Sequence, residues 1–218
     1  MRDGTVLYES LIGLSADGSP GHTTRLLGEV EASARAAGGW DGVEALAVGV
    51  GPGSFTGLRV GIASARGIAA SVGVELRGVC TLDALARGLD EGGVAGDLSR
   101  LALIDARRGE VFAALYAPSG ERLWDPWVGT PGELGERLSA LSEAPLAAGS
   151  GALRFRDELA GRGVRIADGD ENLHRVAARH VCGLAAAGGA DREPPTPIYL
   201  RPPDAERWHE RDHPKRAE

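Results

Sequence analysis

Apolar residues recur along this chain in two rhythms. Residues 22–37, HTTRLLGEVEASARAA, set Leu26, Leu27, Val30 and Ala34 on one face at helical spacing, and Gly38-Gly39 stop the run. ALAVGV at 45–50 is a short continuous apolar run of the kind found in buried parallel strands. A Gly/Pro loop follows, then a helix from about Gly57 to Ser71. VELRGV at 74–79 reads as a strand, and Thr81 is placed to cap the helix opening LDALARG. TVLYESLIGL at 5–14 also reads as a strand, being rich in Val, Leu, Ile and Tyr.

A second series starts near Ser99. RLALIDA and EVFAALYA are strands joined by a tight RRG turn, and PSG leads to a third strand at ERLW. Thr130-Pro131-Gly132-Glu133 is a capping box with proline at the first helical position, which predicts a helix from 131 to about 142. PLAAGSG is a strand and loop, RFRDELAG a short helix and VRIA a strand. From Asn172, Leu173, Val176, Ala177, Val181 and Leu184 form the apolar stripe of a last helix. Strands alternating with helices predict a layered α/β architecture. DGTVLYESLIG (3–13) aligns without gaps on SGERLWDPWVG (119–129), so the chain reads as a duplication with lobes at 1–98 and 99–200 and a polar tail at 201–218. Two strands precede this segment in the second half, whereas only Met1 and Arg2 precede it in the first.

Composition narrows the function. Hydrophobic residues at 43% and charged residues at 25% are ordinary for a globular protein, and there is no apolar run of about eighteen residues to span a membrane. Two cysteines, Cys80 and Cys182, are too few for a disulfide framework and fit a reducing cytosol. A formal charge of −7 disfavours a broad phosphate-gripping surface. The only lysine among the 24 basic residues is Lys215, which leaves none for a Schiff base or a phosphate-loop NTPase motif.

Loop 51–57 has two readings. In one, Gly51, Gly53, Ser54, Phe55 and Thr56 form a remnant nucleotide or anion loop whose amides point at phosphate. In the other the loop is a tight strand-to-helix crossover, with Ser54 or Thr56 capping the helix. The absent lysine and the lack of any carboxylate in the loop favour the turn. In the helix that follows, Gly57, Gly61, Ala65 and Ala69 recur every four residues, a ridge that lets another helix approach closely. The bland alternative is that this ridge packs on its own sheet. His22 fits a capping role, and His209 and His213 fall in a charged, Pro-terminated tail expected to be disordered. Asp105 ends a strand in an ordinary charged hairpin.

GVGPGSFTGLRVGIASARGIA, LIDARRGEVFAALY, GHTTRLL and PIYLR together resemble the bacterial tRNA threonylcarbamoyladenosine biosynthesis family TsaB, also called YeaZ, over residues 3 to about 201. The resemblance implies a duplicated two-lobe fold of the actin-like, sugar-kinase and Hsp70 type. It implies a non-catalytic subunit that forms homodimers alone and pairs with the catalytic paralogue TsaD, joined by the small ATPase TsaE. The interface would use Leu26, Leu27, Val30, Gly57, Arg59, Gly61, Ile62, Ala65, Ile68 and Ala69, with Arg59 and Arg66 pairing with carboxylates at its rim. No cofactor of its own is implied. ATP belongs to the partner ATPase, tRNA is met only through the complex, and the setting is cytoplasmic, away from membranes. The paralogue's His-x-x-x-His metal pair falls here on Thr81 and Leu85, which are not paired imidazoles. The family usually opens with a strand ending in Asp-Thr-Ser or Asp-Thr-Thr and a second strand hairpinned to it. Because residues 1–4 supply neither, the natural reading frame is expected to start upstream of Met1.

Overall fold

Strand β1 (Ala45–Gly51) and strand β2 (Glu75–Cys80) lie parallel, joined by helix α2 (Phe55–Val72), in the computed structural model, which describes residues 1–13, 22–189 and 194–201. Helix α1 (His22–Ala36) precedes them, and helix α3 (Thr81–Glu91) leads out of β2. A second sheet has the order β5-β4-β3-β6-β7. Its hairpin is β3 (Arg100–Arg107) with β4 (Glu110–Tyr116), and β5 (Trp127–Gly129) runs antiparallel to β4. Strands β6 (Leu146–Ala148) and β7 (Arg165–Ile166) run parallel beside β3. Helices α4 (Pro131–Leu138), α5 (Ser150–Arg154), α6 (Arg156–Ala160) and α7 (Ala178–Ala186) complete the chain.

Local signals explain where these elements begin and end. Ser54 caps α2 by accepting from the Gly57 amide at 3.3 Å, and Gly73, left-handed at φ 74°, ends it. The capping box at Thr130 and Glu133 forms as the sequence predicts. Helix α4 stops at Leu138, short of 142, and the Ser139 hydroxyl donates to the Glu136 carbonyl at 2.6 Å. Thr81 does not cap α3. That position falls to Cys80, and the Thr81 hydroxyl instead donates to the Pro52 carbonyl at 2.6 Å.

Three other expectations change. Residues 5–13 form no strand: a lone bridge joins Arg2 to Thr5, and Leu11 stays 67% exposed. Extended propensity yields a strand only beside a strand that completes its ladder. Side chains tether the segment instead, through Arg2 to the Ala37 carbonyl (2.8 Å), Tyr8 to Glu29 (2.6 Å) and Glu9 to Arg179 (2.6 Å). ERLW keeps only a bridge from Arg122 to Tyr116, since the Leu123 and Trp124 amides both donate to the Leu115 carbonyl (2.7 and 3.1 Å) and so break the ladder, and the strand forms later as β5. The last helix is two pieces. A 3-10 turn at Glu171–His174 holds Leu173 against Leu89 and Leu146, while α7 carries Val181 back to Val79 and Ala84 beside the first sheet. His174 fixes the break, its Nδ1 accepting from the Gly149 amide (3.1 Å) and its Nε2 donating to the Ala167 carbonyl (2.9 Å). The division near residue 98 therefore separates the sheets but not the packing. The tail beyond Arg201, with His209 and His213, lies outside the described residues.

The core sits on both faces of β3 and β4. Leu101, Leu103, Val111, Ala113 and Leu115 meet Leu134 and Leu159 on one face. Ala102, Ala106, Phe112, Ala114 and Tyr116 meet Leu82 and Leu85 of α3 on the other. Such continuous apolar runs are what burial on both faces requires. At the start of β3 the buried Arg100 binds Asp90 at 2.6 Å and the carbonyls of Leu98 and Gly96, fixing the connection between the sheets.

His180 on α7 is 1% exposed and pressed on Gly88, with its Nε2 3.1 Å from the Glu91 carboxylate. Burial holds its pKa below the ordinary value, against the pull of the Glu91 carboxylate. The unfolded chain therefore binds the extra proton first. Stability is full above about pH 6.5 and falls as the pH drops through the lowered folded value. Urea unfolding from about pH 7.5 to 5.5 should show this slope in the wild type and a flatter one in His180→Leu. Equal slopes would refute the assignment.

Candidate protein interface

The loop after β1 is built around a backbone position that excludes a side chain. Gly51 has φ 105°, and a Cβ there would lie 2.9 Å from Leu58 Cδ1 and 3.1 Å from the Ile198 carbonyl oxygen. Pro52 is fully buried and its carbonyl takes the Thr81 hydroxyl. Ser54 takes the Gly57 amide on its side chain and the Leu58 amide on its carbonyl at 2.9 Å. Gly53 is half-buried and Thr56 exposed. The Phe55 ring lies 5.2 Å from that of Tyr199, and Arg59 stacks 3.8 Å above Phe55. The capped crossover expected of this loop is formed.

Helix α2 sorts the remaining candidates by face. Leu58, Ile62 and Ala69 are buried, Ile62 at 3% and Ala69 at 6% exposure, on the side that packs on β1. Ile62 and Ala69, expected at a partner interface, thus belong to the chain's own core. Gly57, Gly61, Ala65 and Ile68 line one half-buried flank, with open space around the Cβ direction of Gly61. Arg59 and Arg66, expected to meet carboxylates at the interface rim, stand on the opposite flank. The Arg59 Nε donates to the Tyr199 hydroxyl (3.1 Å) and Arg66 donates to the Pro195 carbonyl (2.5 Å). On α1, Leu27 is 65% exposed while Leu26 and Val30 are half-buried. Helix α1 packs mainly on the turn Trp40–Gly42, so the structure does not unite α1 and α2 into one extensive contact.

Charge is neutralised locally elsewhere. Asp83 accepts from the Tyr116 hydroxyl (2.6 Å) and from Arg122 (2.5 Å). Burial, with Asp83 nearby, pushes the Cys80 thiol up to about 11 and raises the Tyr116 phenol, so neither ionises near neutrality. Asp105 pairs with Arg154 at 2.7 Å and accepts the Arg107 amide at 2.8 Å, which makes it a fixture of its hairpin. Hydrogen bonds from Tyr8, then Ser10 and Arg25, hold the Glu29 carboxyl down to about 2. Burial favours a neutral Glu9, but the Arg179 amide and guanidinium outweigh it and keep Glu9 below its ordinary range. A cleft of about 440 Å³ at the ends of β6 and β7 is lined by Ser150, Arg156, Asp168, His174 and Arg175. Of its charges, Arg156 pairs with Asp168 (2.9 Å) and Arg175 with Glu171 (3.1 Å), while Asp170 accepts from the Asn172 amide (2.8 Å). The partners of Tyr199 and Arg201 are not deducible from periodicity. The only hint is a proline-rich stretch, 194–197, that cannot continue a helix.

Residues 17–134 match the family model described as TsaD, tRNA N6-adenosine threonylcarbamoyltransferase. The tRNA threonylcarbamoyladenosine biosynthesis protein TsaB of Escherichia coli is 33% identical over 192 residues, 83% of this chain and 80% of that protein. The chain belongs to the TsaB family. The crystal structure of an uncharacterized protein with similarity to peptidase YEAZ from Pseudomonas aeruginosa superposes with TM-score 0.68 at 30% identity, over 84% of this chain and 87% of that one. YeaZ from the same organism gives 0.62 at 30% identity, over 82% and 85%. These neighbours carry the actin-like ATPase fold, as the resemblance implied. An uncharacterized protein of Mycobacterium leprae is 44% identical over 89 residues, 41% of this chain, and the match spans only 23% of that longer protein.

Replacing Gly51 tests the loop directly. Gly51→Ala should lose about 2–3 kcal/mol of stability in urea unfolding, because the new methyl meets both Leu58 and a carbonyl at an unfavourable φ. A variant within about 0.5 kcal/mol of wild type would contradict the packing described.

Proposed function

We propose that this chain is a non-catalytic subunit of the machinery that makes threonylcarbamoyladenosine in tRNA. It docks on a catalytic paralogue of the TsaD kind through the small-residue flank of α2. Family membership supports the pathway, since the E. coli relative carries that role in its name. The residues at the paralogue's metal-pair places support the division of labour. Thr81 is spent on the Pro52 carbonyl and Leu85 is 1% exposed in the core. The setting of that machinery is the cytoplasm, and no helix among the described residues is long and apolar enough to cross a membrane.

One observation carries the docking surface. Glycine inside a helix costs about 1 kcal/mol relative to alanine. Gly61 lies mid-helix, and among the described residues nothing beyond its own turn of backbone stands within 4 Å of where its Cβ would be. Gly67 on the same helix is open in the same way, but Gly61 stands between half-buried Gly57 and Ala65 on one flank, the relief that a closely approaching partner helix needs. Alone, the chain uses this flank to form a homodimer. ATP is the business of the partner ATPase, and the acidic surface leaves tRNA contact to the partners.

Gly61→Trp should weaken binding to the TsaD-type paralogue, and homodimer formation, by at least about a hundredfold. Its circular dichroism and melting should stay those of the wild type, because the space at position 61 is open among the described residues. Assembly that tolerates the tryptophan would overturn the interface. Isothermal titration of ATP with Mg²⁺ into the isolated chain should give neither micromolar binding nor turnover. Either result would instead favour an enzyme in its own right.

A further inference from the structure

Residues 194–201 belong to no helix or strand, yet they are tied to both sheets. On the side of the first sheet, Pro195 is buried over Gly78, where a Cβ would lie 3.1 Å from the proline ring. Its carbonyl accepts from Arg66 at 2.5 Å. The Ile198 amide donates to the Val50 carbonyl at 2.8 Å, and the Ile198 carbonyl abuts Gly51. The Tyr199 ring rests against Phe55, and its hydroxyl accepts from Arg59. On the side of the second sheet, the Arg201 guanidinium donates to the Glu110 carboxylate and the Ala106 carbonyl, beside the Phe112 ring. Between these ends, Ile198 and Leu200 pack on the cluster of Cys80, Leu82, Leu85 and Phe112.

We propose that residues 195–201 are an intramolecular clasp that couples the loop opening α2 to the β3–β4 turn. Three features make the coupling mechanical. Seven extended residues reach about 20 Å, enough to bridge the two ends. Pro195 and Pro197 restrict the backbone on the first side, so little slack remains. Each end is held by a guanidinium: Arg66 reaches from α2 to the strap, and Arg201 reaches from the strap to the hairpin. Charge-assisted bonds of this kind are about twice as strong as neutral ones. Displacing the β3–β4 turn therefore pulls on Ile198, whose carbonyl touches Gly51, and so shifts the cap of α2. The coupling does not depend on what the small-residue flank of α2 binds.

Hydrogen exchange read by mass spectrometry on the full chain tests the clasp from both ends. In Arg201→Ala, amides of residues 50–58 should exchange roughly tenfold faster, although the substitution lies at the other end of the strap. In Arg66→Ala, amides of 104–110 should accelerate by a similar factor. In both variants the core amides of Leu101, Leu103 and Leu115 should keep their wild-type rates. Acceleration confined to the mutated end, no acceleration, or a uniform rise that includes the core would each overturn the clasp. Should Arg201→Ala fail to fold, the Arg66→Ala measurement decides alone.

Discussion

Everything on the first sheet's side of the molecule depends on a close approach at the carboxyl end of β1, where only a hydrogen atom fits. Gly51 meets Leu58 from the helix it introduces and the backbone of Ile198 from nearly 150 residues downstream. That contact sets the direction of the loop, and the loop places Ser54 where it can cap α2. The helix in turn lays Leu58, Ile62 and Ala69 on the sheet and turns Gly57 and Gly61 away from it. A surface built from small residues is only as well defined as the backbone beneath it. Here three chain segments define that backbone together.

Helix α3 joins this arrangement to the second sheet. Leu82, Leu85 and Leu89 are 1% exposed or less, each worth about 1.5–3 kcal/mol of burial, and they face the second sheet. Ala84, on the same helix, faces Val79 and α7. The polar counterpart is Asp83, which gathers Tyr116 from β4 and Arg122 from the following loop. One short helix thus serves two cores and, through Asp83 and Asp90, anchors Arg122 and Arg100 as well.

What could be read from the residue pattern follows from where the determining interactions lie. Strands β1 to β4 and helices α2 and α4 were legible because a continuous apolar run, a capping residue or a capping box specifies them locally. Residues 5–13 carry strand propensity, but a strand is a property of two neighbours, and here only side-chain tethers hold the segment. The apolar stripe from 172 was visible, while the break within it was not. That break depends on His174 reaching both Gly149 and Ala167. For the interface, spacing found the glycines but also admitted Ala69, since a four-residue ladder drifts around the helix onto its buried face, where Ile62 also lies. Arg59 and Arg66 were legible as exposed cations. Their partners on the strap have no periodicity and so left no trace in the pattern.

The return of α7 to the first sheet has a consequence for how the protein is made. The strands of the second sheet are all synthesised by residue 166, whereas the apolar surface at Val79 and Ala84 waits for Val181. At roughly 5–20 residues per second, the portion that leaves the ribosome first spends about 5–20 s uncovered. The half that is translated first is therefore the half that is finished last.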